Sequence, residues 1–197
     1  AGYLDILGDV KTVVGDFEQQ LSIYRAAVEC SFAQRGKHYG YSAYTHAKYN
    51  LLNIDITTQD PELWPLSLQL HRDLLPFRPE SKADPYLDLP QFGADGEFMW
   101  MSMVFPDGFA FVVVVHMPDV IENFHVAHDR VTAQLARCFT DQCCIRLTIV
   151  TGQNEAPTEL VRRAEADLLH YGAKQLPAEA HRSWWTDFWH RGWISLP

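Results

Sequence analysis

His125-x-x-His128-Asp129 supplies the ligand types that a transition metal takes, at a spacing that would put both imidazoles on one face of a helix. A zinc site needs a third or fourth converging ligand. Cys138-x4-Cys143-Cys144 has the right chemistry for one, but its spacing matches no familiar zinc module, and packed thiols account for it equally well. No metal and no cofactor are assigned on this basis. The acids Asp84, Asp88, Asp95 and Glu97 fall in a Pro-, Asp- and Gly-rich stretch. A glycosidase needs two carboxyl groups held at a fixed separation, one of them protonated near neutral pH. Solvated loop acids lack the setting that would raise a pKa, so no catalytic residue is assigned. Glycine-rich phosphate loops and a Gly-x-Ser-x-Gly elbow are both absent from the sequence.

Aromatic residues offer a different chemistry. Tyr39, Tyr41, Tyr44 and Tyr49 cluster around His38 and His46, and planar rings stack well on sugar faces. Tyr39, Tyr41 and Tyr44 are therefore candidate carbohydrate contacts. The competing reading is a strand pair whose rings pack inside a sandwich, since aromatics are ordinary strand residues. Near the end of the sequence, Trp184, Trp185, Trp189 and Trp193 are four of the six tryptophans. On a helix Trp184 and Phe188 form one i,i+4 pair, and Trp185 and Trp189 another, giving a broad aromatic face. Each ring can bury roughly 150–250 Å², so the face is expected to be mostly buried against residues outside its own helix. Trp184, Trp185, Phe188, Trp189 and Trp193 are the expected interface residues.

These side chains must be positioned by a mostly β scaffold. Leu51–Ile56 and Leu66–Leu70 alternate apolar and polar residues, as does Cys144–Val150. Phe98–Phe105 and Phe109–Val115, joined by Pro106-Asp107-Gly108, predict an antiparallel hairpin in one sheet with Ile145–Val150. Leu4–Leu7, Lys11–Val14, Leu21–Tyr24 and Ala27–Phe32 read as short strands. Pro76–Asp95 reads as a long surface loop, and Val126–Cys138 as a helix with Val131, Leu135 and Cys138 on one face. Pro157 opens a helix striped by Leu160, Val161, Ala164 and Leu168 and stopped at Gly172; Pro177 opens a second that ends at Gly192. The fold class is thus mainly β, an antiparallel β-sandwich over residues 1–153 followed by a helical tail over 154–197.

Composition narrows the partners. The chain has 197 residues, 47% hydrophobic and 21% charged, enough for one domain with a real core. Its formal net charge of −9 and the absence of any Lys/Arg run count against nucleic acid. No stretch is long and apolar enough to be a membrane-spanning helix. Ala1-Gly-Tyr-Leu-Asp5 lacks the charged start and apolar run of a signal peptide. Cys30, Cys138, Cys143 and Cys144 are read as buried free thiols, with a bridge from Cys30 to the 138–144 region as the alternative.

His181-x-x-Trp184-Trp185-x-x-Phe188-Trp189-x-Arg191-x-Trp193-Ile194 resembles the motif closing the N-terminal β-sandwich domain of fucosidase-like glycoside hydrolases. Ile145–Gln153 is similar to that family's last strand, and Phe17-Glu-Gln-Gln-Leu21 after Leu4-Asp-Ile-Leu-Gly8 to an earlier element. The resemblance implies a supersandwich-like domain, with further strands ahead of Leu4, that precedes an (α/α)6 barrel carrying the catalytic carboxylates. It directs attention to His116, at a strand end where His-Arg-Asn would be expected and Met117-Pro118 follows instead. On this reading the chain is an architectural, cleft-lining accessory domain of a secreted or periplasmic carbohydrate-active protein, not catalytic alone. Its partner would be the barrel. The alternatives are a structural subunit of an extracellular assembly, with a neighbouring subunit covering the aromatic helix, and a free-standing carbohydrate-binding module.

Overall fold

The computed structural model describes residues 3–7, 14–34, 37–58, 67–72, 89–117, 121–135, 142–172 and 177–192. In chain order the strands are β1 (Tyr3–Leu7), β2 (Val14–Ser22), β3 (Ala27–Gln34), β4 (Lys37–Thr45), β5 (Leu51–Thr58), β6 (Ser67–His71), β7 (Gln91–Asp95), β8 (Phe98–Val104), β9 (Phe109–His116), β10 (Ile121–Val126), β11 (Arg130–Leu135) and β12 (Gln142–Gln153). Helices α1 (Pro157–Gly172) and α2 (Pro177–Gly192) follow. An eight-stranded sheet runs β2-β3-β4-β5-β12-β9-β8-β7, and a four-stranded sheet runs β1-β6-β11-β10. Neighbouring strands pair antiparallel throughout.

Strand alternation sets what each face does. Ile54, Ile56, Met99, Met101, Val113, Val115 and Ile145 from the large sheet meet Leu68, Leu70, Val131, Ala133 and Leu135 from the small one in a shared core. Their neighbours one position along point the other way. On that outer face Leu51, Ala110, Val112 and Val114 receive Leu160, Val161, Ala164 and Leu168 of α1, forming a second apolar layer. The helix begins at Pro157, where a missing N–H costs nothing, and its buried positions recur at helical spacing.

The expected hairpin is present: Phe98–Val104 pairs with Phe109–His116, and Ile149 of β12 pairs with Val113 in the same sheet. Gly108 has φ +82° in its turn, a conformation in which any Cβ is strained. At β7, Gly93 lies opposite Trp100, whose indole occupies the space that a Cβ would need.

Three sequence expectations change. Of the helix expected over 126–138, residues 126–135 are instead the end of β10, the turn and the second arm of the β10–β11 hairpin, because Val131, Ala133 and Leu135 bury on alternation and Val131 and Ala133 pair with β6; residues 136–138 lie outside those described. The loop expected over Pro76–Asp95 ends in strand β7, paired residue by residue with β8; residues 73–88 lie outside those described. The strand expected over Leu21–Tyr24 stops at Ser22, and residues 23–26 form the turn into β3. Of Lys11–Val14, only Val14 is described, as the first residue of β2.

Candidate functional site

The period-2 geometry of β4 separates the tyrosines. Tyr39 and Tyr41 face inward: Tyr39 stacks on Phe32 at 5.3 Å, and Tyr41 packs on the inter-sheet core. Tyr44, an odd number of residues further, faces outward. His116 also takes the outer side, in the register row Tyr44–Asn53–Arg146–His116. Three strand spacings, about 14 Å at ~4.8 Å each, separate Tyr44 from His116. Of the four candidate sugar contacts, then, two belong to the core and two lie apart on one face. His116 is buried, stacks on Phe98 at 4.6 Å, and its Nε2 lies 3.1 Å from Glu97 Oε2. Glu97, read from sequence as a loop acid, is thereby a partner for that ring.

A second row on the outer face, Glu29–Ser42–Asp55–Cys144, runs beside the first. Where the two rows meet α2 there is a cavity of about 220 Å³ lined by Arg25, Ala27, Glu29, Ser42, Tyr44, Asp55, His181 and Arg182. Sequence reasoning singled out Tyr44 from this set as a candidate contact, and His181 only as the opening residue of the tryptophan motif. The missing signal was alternation within β3, β4 and β5, which puts Glu29, Ser42 and Asp55 on the face opposite the core residues Ile54 and Ile56.

The cavity is built from two pieces. The sheet supplies its floor, and α2 supplies the wall through His181 and Arg182. Two hydrogen bonds to the β2–β3 turn hold α2 there: His181 Nε2–H donates to the Arg25 carbonyl at 2.8 Å, and Trp189 Nε1–H to the Ile23 carbonyl at 2.9 Å. With the proton on Nε2, His181 presents Nδ1 as an acceptor. Tyr44 packs on His181 with ring centroids 4.6 Å apart, and the aromatic contacts continue through His46 and Tyr49 to Tyr171 at the end of α1.

The electrostatics are those of a partly dehydrated site. Burial pushes the Tyr44 phenol up to about 12, aided by the Asp55 charge, while Arg146 and Arg182 pull the other way. Burial likewise pushes the Cys144 thiol up to about 12, so it stays protonated and is no nucleophile at neutral pH. Arg25 and Glu29 pair at 2.8 Å. Asn53 Nδ2, Arg146 Nε, His181 Nδ1 and Trp185 Nε1 are buried without a hydrogen-bond partner among the described residues. Each such group costs about 1–3 kcal/mol, and all four belong to the outer-face polar rows or to α2.

The aromatic face of α2 forms as its spacing requires. Trp184 and Phe188 stack at 5.4 Å, and Trp185 and Trp189 at 6.1 Å. Trp184, Trp185 and Trp189 are half-buried, but Phe188 is 42% exposed, so the face is less covered than expected. Tyr24 packs on Trp189 at 6.1 Å. Trp193 lies outside the described residues.

Among the described residues the remaining groups do not assemble into a metal-binding cluster. His125 sits on β10, not on a helix, and His128 is exposed in the turn after it. Asp129 pairs with Arg130, whose guanidinium lowers its carboxyl pKa. Cys30 and Cys143 share the inner face with Tyr41 and Ile56 between them, about three spacings of ~4.8 Å apart. A disulfide needs Cα atoms within about 7 Å, so those two cannot bridge, and Cys144 points to the other face. Cys138 lies outside the described residues.

No protein-family model and no curated protein matches the chain. A solved structure described as a kojibiose phosphorylase, from human microbiome, matches it in fold with a TM-score of 0.69 over 94% of this chain at 11% identity. The chain spans 27% of that protein's length.

Proposed function

We propose that the chain is an accessory β-sandwich domain of an extracytoplasmic carbohydrate-active protein, packed on a catalytic barrel and helping to wall its sugar-binding cleft. The observation that carries this reading is the shared architecture, sheets and C-terminal helices together, with a protein several times longer that is described as a kojibiose phosphorylase. The partly uncovered aromatic face of α2 supports it, because a further domain would find Phe188 and the edges of three tryptophans there. Intact mass and turnover of the native polypeptide test it. The expected result is a mass well above 22.6 kDa and glycoside cleavage that the 197-residue chain alone lacks. Two results would reject the reading: a native mass near 22.6 kDa, or turnover by the short chain that disappears when one Asp or Glu becomes Ala.

A second reading, a subunit of an extracellular assembly, draws on β2. This edge strand of the large sheet exposes Phe17 at 62% and Leu21 at 67%. An apolar edge invites strand pairing, although the register shift between Gly15 and Glu18, with Asp16 at φ +49°, interrupts it. Size that grows with protein concentration and reverts in Leu21→Lys would favour this reading.

A further inference from the structure

We propose that the cavity between the outer face of the eight-stranded sheet and α2 binds a neutral polyhydroxylated ring of monosaccharide size. The proposal rests on the carbohydrate reading above for the class of ligand, and on the cavity itself for everything else.

Size comes first. A volume of about 220 Å³, open to solvent on one side, lies below the ~300–1,000 Å³ of sites for drug-sized molecules and is enough to seat one ring. Charge comes second. Among the described residues the lining sets two guanidiniums, Arg25 and Arg182, against two carboxylates, Glu29 and Asp55, in balance. An anion would meet the carboxylates, and a cation the guanidiniums. A polyol suits both signs: Asp55 can accept hydroxyl protons and a guanidinium can donate several N–H groups, while Arg25 and Glu29 are already paired with each other. Ser42 and Tyr44 add hydroxyls that donate and accept, and the phenol remains neutral well above physiological pH.

Shape is the third argument. Tyr44 and His181 sit with centroids 4.6 Å apart and planes 37° off parallel, giving the cavity an aromatic surface beside its polar one. A pyranose has the same division, C–H groups on its faces and hydroxyls around its rim. His181 is 2% exposed, lines the cavity, and carries an Nδ1 without a partner among the described residues. The Arg25 carbonyl fixes the proton on Nε2, so the atom left over is an acceptor, the complement of a ligand hydroxyl. Because α2 forms one wall, occupancy must also register at Trp185, whose ring lies 6.4 Å from His181.

The test is a titration of the 197-residue chain with D-glucose, D-galactose, D-mannose and L-fucose, and with inorganic phosphate as the charged probe. Ligand-observed NMR and tryptophan fluorescence follow binding. At least one sugar should bind saturably, without competition from phosphate. Asp55→Asn and Arg182→Ala should each weaken that sugar by about tenfold or more, the loss of a charged hydrogen bond, with thermal midpoint unchanged. Arg182 is exposed, so its variant remains informative if Asp55→Asn fails to fold. No saturable sugar signal, saturation by phosphate instead, or sugar binding indifferent to Arg182→Ala would each overturn the proposal. The outcome is separable from the domain reading. Absent sugar binding leaves the mass and turnover results untouched, whereas sugar binding by a native chain of 22.6 kDa would keep this site and discard the barrel.

Discussion

Helices α1 and α2 lie on the same face of the same sheet, over seats of opposite chemistry. Under α1 the sheet offers Ala110, Val112 and Val114, and the helix answers with Leu160, Ala164 and Leu168, all fully buried. Under α2 it offers Ser42, Tyr44 and Asp55, with Asn53 and Arg146 beside them, and the helix brings a histidine, an arginine and a face of half-buried tryptophans. The first seat gains from each apolar area it removes from water. The second leaves several buried polar atoms without partners among the described residues and retains a cavity. One face thus divides into a half that holds the fold together and a half that forgoes stability to keep polar groups in place, the distribution expected where a scaffold carries a site.

Substitutions that treat the two seats alike should reveal the difference. Leu168→Ala empties a fully buried position beneath α1 and should cost about 2–5 kcal/mol in denaturant unfolding. Trp189→Ala removes a larger side chain but only a half-buried one. It loses the bond to Ile23 and the packing on Tyr24, about 1–3 kcal/mol together. An equal or greater loss at Trp189 would mean that α2 is as firmly structural as α1.

Alkaline pH should act through the α2 seat and, on the inner face, through Tyr41, whose phenol is raised by its hydrogen bond with Cys30. Tyr44 and Cys144 have folded pKa values raised from 10.0 and 9.0 to about 12 each. The folded state keeps protons that the unfolded chain releases, so their contribution is complete below pH 9 and is lost as pH rises through about 12. Stability should therefore fall across that window, and Cys144→Ser with Tyr44→Phe should flatten the slope. An unchanged slope in the double variant would place the responsible groups elsewhere. The smallest effect belongs to Leu21→Lys on the exposed edge strand, which should leave stability within about 0.5 kcal/mol; a larger change in chemical denaturation would show that β2 is covered in solution.

How much of this was legible beforehand depended on the kind of signal. Helix α1 was readable in full, because Pro157, Gly172 and the stripe between them are local signals that tertiary structure had no reason to override. The β8–β9 hairpin was readable for the same reason, two β-rich arms around a turn that needs Gly108. Residues 126–138 misled, since Val131 and Leu135 suit a helix spaced by four as well as a strand spaced by two. Pairing with β6 decided between the two periods. The tyrosine cluster left two readings open, and sequence could not choose between them for each ring: the pleat sends Tyr41 and Tyr44 to opposite faces.

The sequence by itself determined the mainly β class, the central strands, both C-terminal helices and the aromatic stacking along α2, because each follows from periodicity, turn chemistry or i,i+4 spacing within a few residues. Only the tertiary structure decided that Glu29, Ser42 and Asp55 stand in one row, that His181 reaches back to the carbonyl of Arg25, and that a cavity lies between them. Those residues are brought together by strand order and register, which are fixed by burying one face of each strand. A polar side chain on the opposite face acquires its neighbours as a consequence of that burial, and nothing in its local sequence names them.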